Sequence, residues 1–313
     1  MTSTIAPDDA GIARAAGMLI AGELVAFPTE TVYGLGADAT NARAVAGIYA
    51  AKERPDFNPL IVHVADVWAA EDLIDLPDAG RAIAREFWPG PLTLVAPMKP
   101  DTGIAPGVTA GLDTLAVRVP AHRIAREMLR LVGRPVAAPS ANPSGRVSPT
   151  RAGHVLDGLR GRIAAVLDGG PCVVGLESTI IGFEEGAPVL LRPGGVETGE
   201  IEKRAGVLVG ECSEDGVTAP GQLASHYAPK ARLRINARAA GLGDLFLGFG
   251  PVEEGQITLS RTADLREAAA RLFACLRELD DKALPGQVIA VAPVPDEGLG
   301  VAINDRLRRA AVR

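Results

Sequence analysis

Basic, hydroxyl and amide side chains recur where apolar runs of this chain begin or end. Thr29, Glu30 and Thr31 follow the run at 24–27, Lys52 and Arg54 precede Asn58-Pro59-Leu60, and His63 lies inside Leu60-Ile61-Val62-His63-Val64. Thr114 and Arg118 belong to the run 114–120, Ser140-Ala141-Asn142 follows another, and Ser178 and Arg192 flank two more. Each has a plain structural explanation by itself. Threonines close turns, cations suit a helix C-terminus, His63 can be a hydrogen-bonded core histidine, and an Arg alternating with apolar residues can face solvent from a strand. These readings explain the joint pattern poorly. Burying Arg, Lys or His is costly without an anionic partner, and few carboxylates stand near these cations in the sequence. A phosphate or carboxylate ligand would supply the partner through charge-assisted, bidentate hydrogen bonds. The chemistry this set suits is anion recognition.

Familiar sites of other kinds are missing. The chain has no GxxxxGK[ST] loop, no GxGxxG after an apolar run, no HExxH and no GxSxG. Cys172, Cys212 and Cys275 are far apart, without CxxC spacing. They argue against a zinc site or a disulfide framework and for reduced thiols, and no protein-held metal is expected. With 32 Lys and Arg against 38 Asp and Glu, the net charge is −6. That disfavours a surface gripping nucleic acid throughout, while leaving room for a local basic pocket. The first twenty residues include Asp8 and Asp9 and lack a secretory pattern. No apolar run approaches the ~20 residues that span a bilayer, so a cytoplasmic location without membrane contact is expected.

The elements that must position these residues alternate. Apolar periodicity predicts helices over 8–21, 41–52, 67–74, 78–88 and 122–132, and near 201–205. Short apolar runs predict strands at 24–27, 60–64, 92–97, 114–119, 136–138, 164–167, 179–183 and 189–191. Some are too closely spaced for a helical crossover, which predicts a mixed sheet in an α/β unit. At 313 residues, more than one unit is expected. Residues 1–209 form the first, 210–231 read as a Gly-, Pro- and Ser-containing linker, and 232–313 form a smaller α/β unit. The latter has strands at 233–235, 245–249, 257–259 and 288–292 and helices at 264–280 and 299–311.

Six stretches then carry a resemblance in order along residues 10–205: LVAFPTETVYGLG (24–36), KERPDFNPLIVHV (52–64), WPGPLTL (88–94), VRVPAH (117–122), APSANPSG (138–145) and LESTIIGFEEGAPVLLRPGG (176–195). Together they closely resemble the YrdC-type threonylcarbamoyl-AMP synthase family. The linker with Ser225-His226-Tyr227-Ala228-Pro229 and the small second unit resemble its longer, two-domain form. The resemblance implies a twisted mixed-sheet fold with a concave site, followed by a small Rossmann-like C-terminal domain. It also implies a nucleotidyltransferase: L-threonine, bicarbonate or CO2 and ATP give L-threonylcarbamoyl-AMP, pyrophosphate and water. Other proteins then pass the threonylcarbamoyl group to adenosine 37 of tRNAs reading codons that begin with A. ATP would arrive with Mg2+, no tightly bound cofactor is implied, and direct contact with tRNA is left open.

By the same resemblance, Thr31, His63, Arg118, Ala138 (through its backbone) and Ser178 hold threonine. Lys52, Arg54, Asn58, Thr114, Ser140, Ser148, Arg192 and Tyr227 hold the nucleotide, with Asn142 supporting them. Lys52 and Arg54 would offset phosphate charge, with no covalent or acid–base residue assigned. Gln222, Ser225, His226 and Tyr227 would belong to a lid over the site. Thr29, Glu30 and Tyr33 would shape its wall. Two rival readings stand beside this one. The first is an RNA-binding protein of the same fold without adenylation. The second is a carbamoyl-transfer module, whose relatives normally sit in much larger chains with zinc-finger-like segments.

Overall fold

The computed structural model describes residues 1–212 and 226–312. Most of the expected linker, Gln222 and Ser225 included, therefore lies outside the described residues.

The chain opens with β1 (Ser3–Ile5), α1 (Asp9–Ile20), β2 (Val25–Phe27), β3 (Gly34–Asp38), α2 (Ala42–Lys52) and β4 (Ile61–His63). Next come α3 (Val67–Glu71), α4 (Asp78–Phe87), β5 (Leu92–Pro97), β6 (Thr114–Arg118), α5 (Arg123–Val132) and β7 (Val136–Ala137). The first unit continues through α6 (Ala152–Leu159), β8 (Ala165–Leu167), β9 (Thr179–Glu184), β10 (Ala187–Arg192), α7 (Thr198–Ala205) and β11 (Gly210–Glu211). Its strands order as β1-β8-β2-β3-β7-β4-β6-β5-β9-β10-β11. The sheet is mixed, as expected. β4 runs parallel to β6 and β5 to β9, whereas β5/β6, β4/β7 and β9/β10 are antiparallel.

Local chemistry explains the helix ends. Asp8 accepts the Gly11 N–H at the start of α1, and Asn41 accepts those of Arg43 and Ala44 at the start of α2. α3 stops at Glu71, short of the expected 74. All eight stretches expected as strands in the first unit form, and the last two, β9 and β10, make a tight hairpin: Glu185 and Gly186 both take positive φ, the geometry of a two-residue turn.

Side chains alternate faces along a strand, and the two faces here are covered differently. Ala26, Leu35 and Ala37 join the large cluster with α2, α4 and α6. Val25, Phe27, Val136 and Ala138 face α1 and α5. Farther across that second face, Ile61, Val95, Ala116 and Ile180 form only a small cluster. Parity places His63, Thr114 and Arg118 on the face of Ile61 and Ala116, so the groove floor carries the polar residues.

The second sheet contains β12 (Arg232–Arg234), β13 (Leu245–Gly248), β14 (Ile257–Thr258) and β15 (Val288–Val291), all parallel, in the order β12-β15-β13-β14. α8 (Leu265–Lys282) and α9 (Leu299–Ala311) pack against it. The resulting apolar cluster does not end at this unit. Val32, Val147 and Leu176 of the first unit join Leu272, Phe273 and Leu276 of α8. Gly175 makes that approach possible: its φ is +75°, and a Cβ there would lie 2.5 Å from the Ala270 Cα.

Candidate functional site

Adjacent strand ends build one wall. His63 of β4 and Arg118 of β6 are directly paired in register, and the β7 backbone continues into Ala138, whose N–H donates to the Ile61 carbonyl at 2.9 Å. Thr31 hangs from the turn between β2 and β3. Its Oγ1 accepts from Nη1 of Arg118 at 2.8 Å and lies 2.7 Å from Oγ1 of Thr29. Thr29 holds the turn by donating to the Val32 carbonyl and accepting from the N–H groups of Thr31 and Val32.

Few carboxylates stand near these cations in the sequence, and Arg118 finds one from far along the chain. Its Nη2 donates to Oε1 of Glu30 at 2.5 Å, and its Nε donates to the Gly90 carbonyl. Three of the five guanidinium N–H groups are thereby engaged, which orients the rest toward the pocket. Burial alone would push the Glu30 carboxyl up; Arg118 and backbone donors outweigh it and hold it below its usual range. His63 is pushed down to about 3, by burial first and by Arg118 second, so its ring is neutral at pH 7.

The opposite wall comes from β9, β10 and the loops around them. Ser178 Oγ is 2.7 Å from Thr93 Oγ1, and Arg192 donates through Nε and Nη2 to the Ser178 carbonyl. Gly194 lets these segments cross, because a Cβ there would stand 2.4 Å from the backbone of Glu177 and Ser178. Glu177 accepts from Ser148 Oγ at 2.6 Å and from Arg306 Nε of α9 at 2.8 Å.

Lys52 and Arg54 serve the nucleotide side differently. The Lys52 Nζ is buried and donates to the carbonyls of Ser140 and Asn142 at 2.5 and 2.6 Å, tying the end of α2 to the SxN loop. Burial, then Arg54, lowers its pKa well below the usual amine value. Arg54 reaches the pocket, held by the carbonyls of Asn58 and Pro59, and burial brings its guanidinium down to about 10. Both amide atoms of the fully buried Asn58 side chain lack a protein partner.

One pocket of about 50 Å³ gathers Thr31, Arg54, His63, Arg118, Ala138, Ser140, Ser178 and Arg192 from the sequence set, with Tyr227. Ser148 and Lys52 stand behind its lining at the contacts described above. Thr114 stands apart, in a separate depression with Asp113, Glu184 and Cys212. It begins the strand that Arg118 ends, about 13 Å away at the usual rise per residue.

Sequence reasoning passed over Thr93, Glu177, Arg277 and Arg306. Arg277 of α8 donates to the carbonyls of Val147 and Ser148. His226 and Tyr227 are pinned between the units: His226 N donates to the Arg309 carbonyl and Ala228 N to that of Gly145. The Tyr227 ring stacks on Phe273 at 5.7 Å, and its backbone takes a φ of 63°. Non-glycine residues rarely adopt that conformation, which is worth ~1–3 kcal/mol of strain. Among the described residues no cluster of metal-ligating side chains occurs, and no helix is long and apolar enough to cross a membrane.

Comparison with known proteins agrees with this architecture. Residues 17–194 match the Sua5_yciO_yrdC family model, described as "Telomere recombination", and residues 190–312 match Sua5_C, "Threonylcarbamoyl-AMP synthase, C-terminal domain". A Bacillus subtilis (strain 168) relative named threonylcarbamoyl-AMP synthase is 43% identical, covering 99% of this chain and 96% of its own. A Pyrococcus abyssi relative of the same name is also 43% identical, over 95% and 93%. The crystal structure of P. abyssi Sua5 complexed with L-threonine superposes with a TM-score of 0.88 at 40% identity, covering 99% of this chain and 97% of that one. Full-length HypF, at 18% identity and a TM-score of 0.54, shares the fold alone. The chain belongs to the Sua5/YrdC family, in the form that carries the Sua5_C domain.

Proposed function

We propose that this chain condenses L-threonine, bicarbonate (or CO2) and ATP into L-threonylcarbamoyl-AMP, releasing pyrophosphate, and water when bicarbonate is the carbon source, in the cytoplasm. The product would supply the proteins that modify adenosine 37 of tRNAs reading codons that begin with A. The observation that carries this reading is a single pocket lined by Thr31, His63 and Arg118 together with Arg54, Ser178 and Arg192. The full-length relatives named for this activity support it.

Threonine would lie against β4, β6 and the turn after β2. Arg118 would take its carboxylate with the N–H groups that Glu30, Thr31 and Gly90 leave over, and Ala138 would meet it through its backbone. Neutral His63 would add a hydrogen bond without competing charge, and Ser178 would face the same substrate. Arg54, Asn58, Ser140, Ser148 and Arg192 would hold the nucleotide, with Thr114 farther along the groove. Asn58 favours this reading, since a buried amide without partners is worth a penalty of ~1–3 kcal/mol that a ligand can relieve. Mg2+ would travel on the phosphate oxygens, because Glu30 and Glu177 are both engaged by arginines. The chain would accelerate attack of the carbamate oxygen on the α-phosphorus by positioning the reactants and stabilising charge.

We also propose 1–209 as the catalytic unit, 210–231 as a lid and 232–313 as a support for that lid. A pocket of about 50 Å³ is well below the ~300 Å³ at which small-molecule sites begin. His226 and Tyr227 would therefore swing out to admit ATP and return to exclude water. The test is pyrophosphate release with each substrate omitted in turn. Release that requires both threonine and bicarbonate, and that falls at least tenfold in Arg54→Gln with an unchanged circular dichroism spectrum, is expected. Release without threonine, or no release beside RNA binding, would overturn the reading.

A further inference from the structure

Glu177 presents a problem for a site that takes a polyphosphate. It lines the pocket beside Arg54 and Arg192, and an ionised carboxylate there would repel phosphate oxygens. Its Oε2 is met by Nε of Arg306, a side chain with no solvent exposure. Arg306 belongs to α9 and reaches Glu177 across 129 residues of sequence. Buried ion pairs are poor sources of stability compared with apolar packing, so the charges themselves need an explanation.

We infer that Arg306 is a positioning residue for ATP: from the second unit it neutralises Glu177, and through Glu177 it holds Ser148 behind the pocket wall. This inference rests on the proposed reaction for the identity of the nucleotide. Five contacts converge on it. Glu177 Oε1 accepts from Ser148 Oγ at 2.6 Å while Oε2 is held by Arg306, so the carboxylate is fixed at both ends. Asp305 accepts from Arg306 Nη1 at 2.6 Å and from Arg309 Nε at 2.9 Å, which fixes the guanidinium in turn. The Arg306 guanidinium also lies 5.1 Å from the centre of the Tyr227 ring, on the same pocket. Burial would pull the Arg306 pKa down, but Tyr227, Glu177 and Asp305 hold it above its usual value. Glu177 is likewise kept ionised against burial by Arg306 and Arg192. Displacing α9 would leave Arg192 alone to offset the Glu177 carboxylate on the nucleotide side and would free one end of the group that holds Ser148. The second unit is then a condition of nucleotide binding as well as a support for the linker.

Charge rescue tests this in the full chain. Binding of α,β-methylene ATP is measured by calorimetry for the wild type, Arg306→Gln, Arg306→Lys and the double variant Glu177→Gln/Arg306→Gln. KM values for ATP and threonine are measured in parallel. Arg306→Gln should weaken analogue binding and raise the ATP KM by about tenfold or more, because an unpaired buried charge remains. The threonine KM should move by less than about threefold, Arg306→Lys should fall between, and the double variant should recover at least half of the loss on a logarithmic scale. Unchanged analogue binding in Arg306→Gln, equal rises in both KM values, or a double variant no better than the single would overturn the inference. Should Arg306→Gln fail to fold, Arg306→Lys and the double variant decide it: analogue binding within about tenfold of the wild type in both supports the charge argument, and a larger loss in either refutes it. Threonine-dependent pyrophosphate release by the wild type separately tests the reaction itself.

Discussion

Glu30→Ala is the most demanding perturbation of the threonine wall. Glu30 is 6% exposed and accepts three hydrogen bonds, from Arg118 Nη2 at 2.5 Å, Ala121 N at 3.1 Å and His122 N at 3.3 Å. Removing the carboxylate leaves a buried guanidinium with two neutral acceptors and takes the acceptor from two backbone N–H groups. Breaking a buried pair in this way destabilises by ~3–5 kcal/mol. At ~2–4 °C per kcal/mol for a unit of this size, the melting temperature should drop by about 6–20 °C. Function should suffer at one substrate in particular. Arg118 would keep its bonds to Gly90 and Thr31 but lose the strongest of its three anchors, so the threonine KM should rise well before the ATP KM does.

Calorimetric melting with and without threonine reads the first effect, and pyrophosphate release at varied threonine reads the second. A pH series adds a sign. The folded Glu30 pKa lies below the unfolded value of ~4.3, so its stabilisation is fully present above that value and is lost as pH falls through the folded one. The wild type should therefore lose more stability than Glu30→Ala on acidification below about pH 4. A melting temperature within about 2 °C of the wild type, or an ATP KM that rises while the threonine KM stays fixed, would refute the reasoning.

Two further outcomes follow from packing and polarity. Asn58→Ala should leave the melting temperature unchanged or higher, since it removes two buried amide atoms without partners, while weakening ATP use. A loss of stability with ATP use intact would place that amide in the fold instead of the site. Gly175→Ala should destabilise by ~1–3 kcal/mol, because its Cβ would meet the α8 backbone at 2.5 Å in a residue with φ of +75°. Melting and proteolysis of the second unit would register it, and wild-type behaviour in both would contradict the close approach.

Elements with a complete apolar stripe were legible in the sequence. α1, α2 and α5 form where Ile12 and Leu19, Val45 and Ile48, and Ile124 and Met128 repeat at helical spacing. Elements built on glycine were not. β3 carries Gly34 and Gly36, and α6 carries Gly153 and Gly158, so neither shows the propensity or stripe that marks its type. β1 is three residues long and is defined by pairing with β8, more than 150 residues away. No local pattern announces a strand that a distant neighbour creates.

The site divides along the same line. Its cations were legible as residue types at strand ends, but their partners were not, and the partners decide what each cation can do. Lys52 suggests a phosphate ligand until its Nζ is seen on the carbonyls of Ser140 and Asn142, 88 and 90 residues on. It now braces the loop that carries Ser140. Arg118 suggests an unpaired guanidinium until Glu30 meets it from 88 residues back. Its pairing makes it a better carboxylate receptor, since a guanidinium fixed on one edge presents the other in a defined direction. Glu177 shows the converse: a carboxylate beside the expected ligands reads as an obstacle to nucleotide binding until Arg306 arrives from the last helix. Local spacing thus located the charges, and long-range folding set their sign as seen by a substrate.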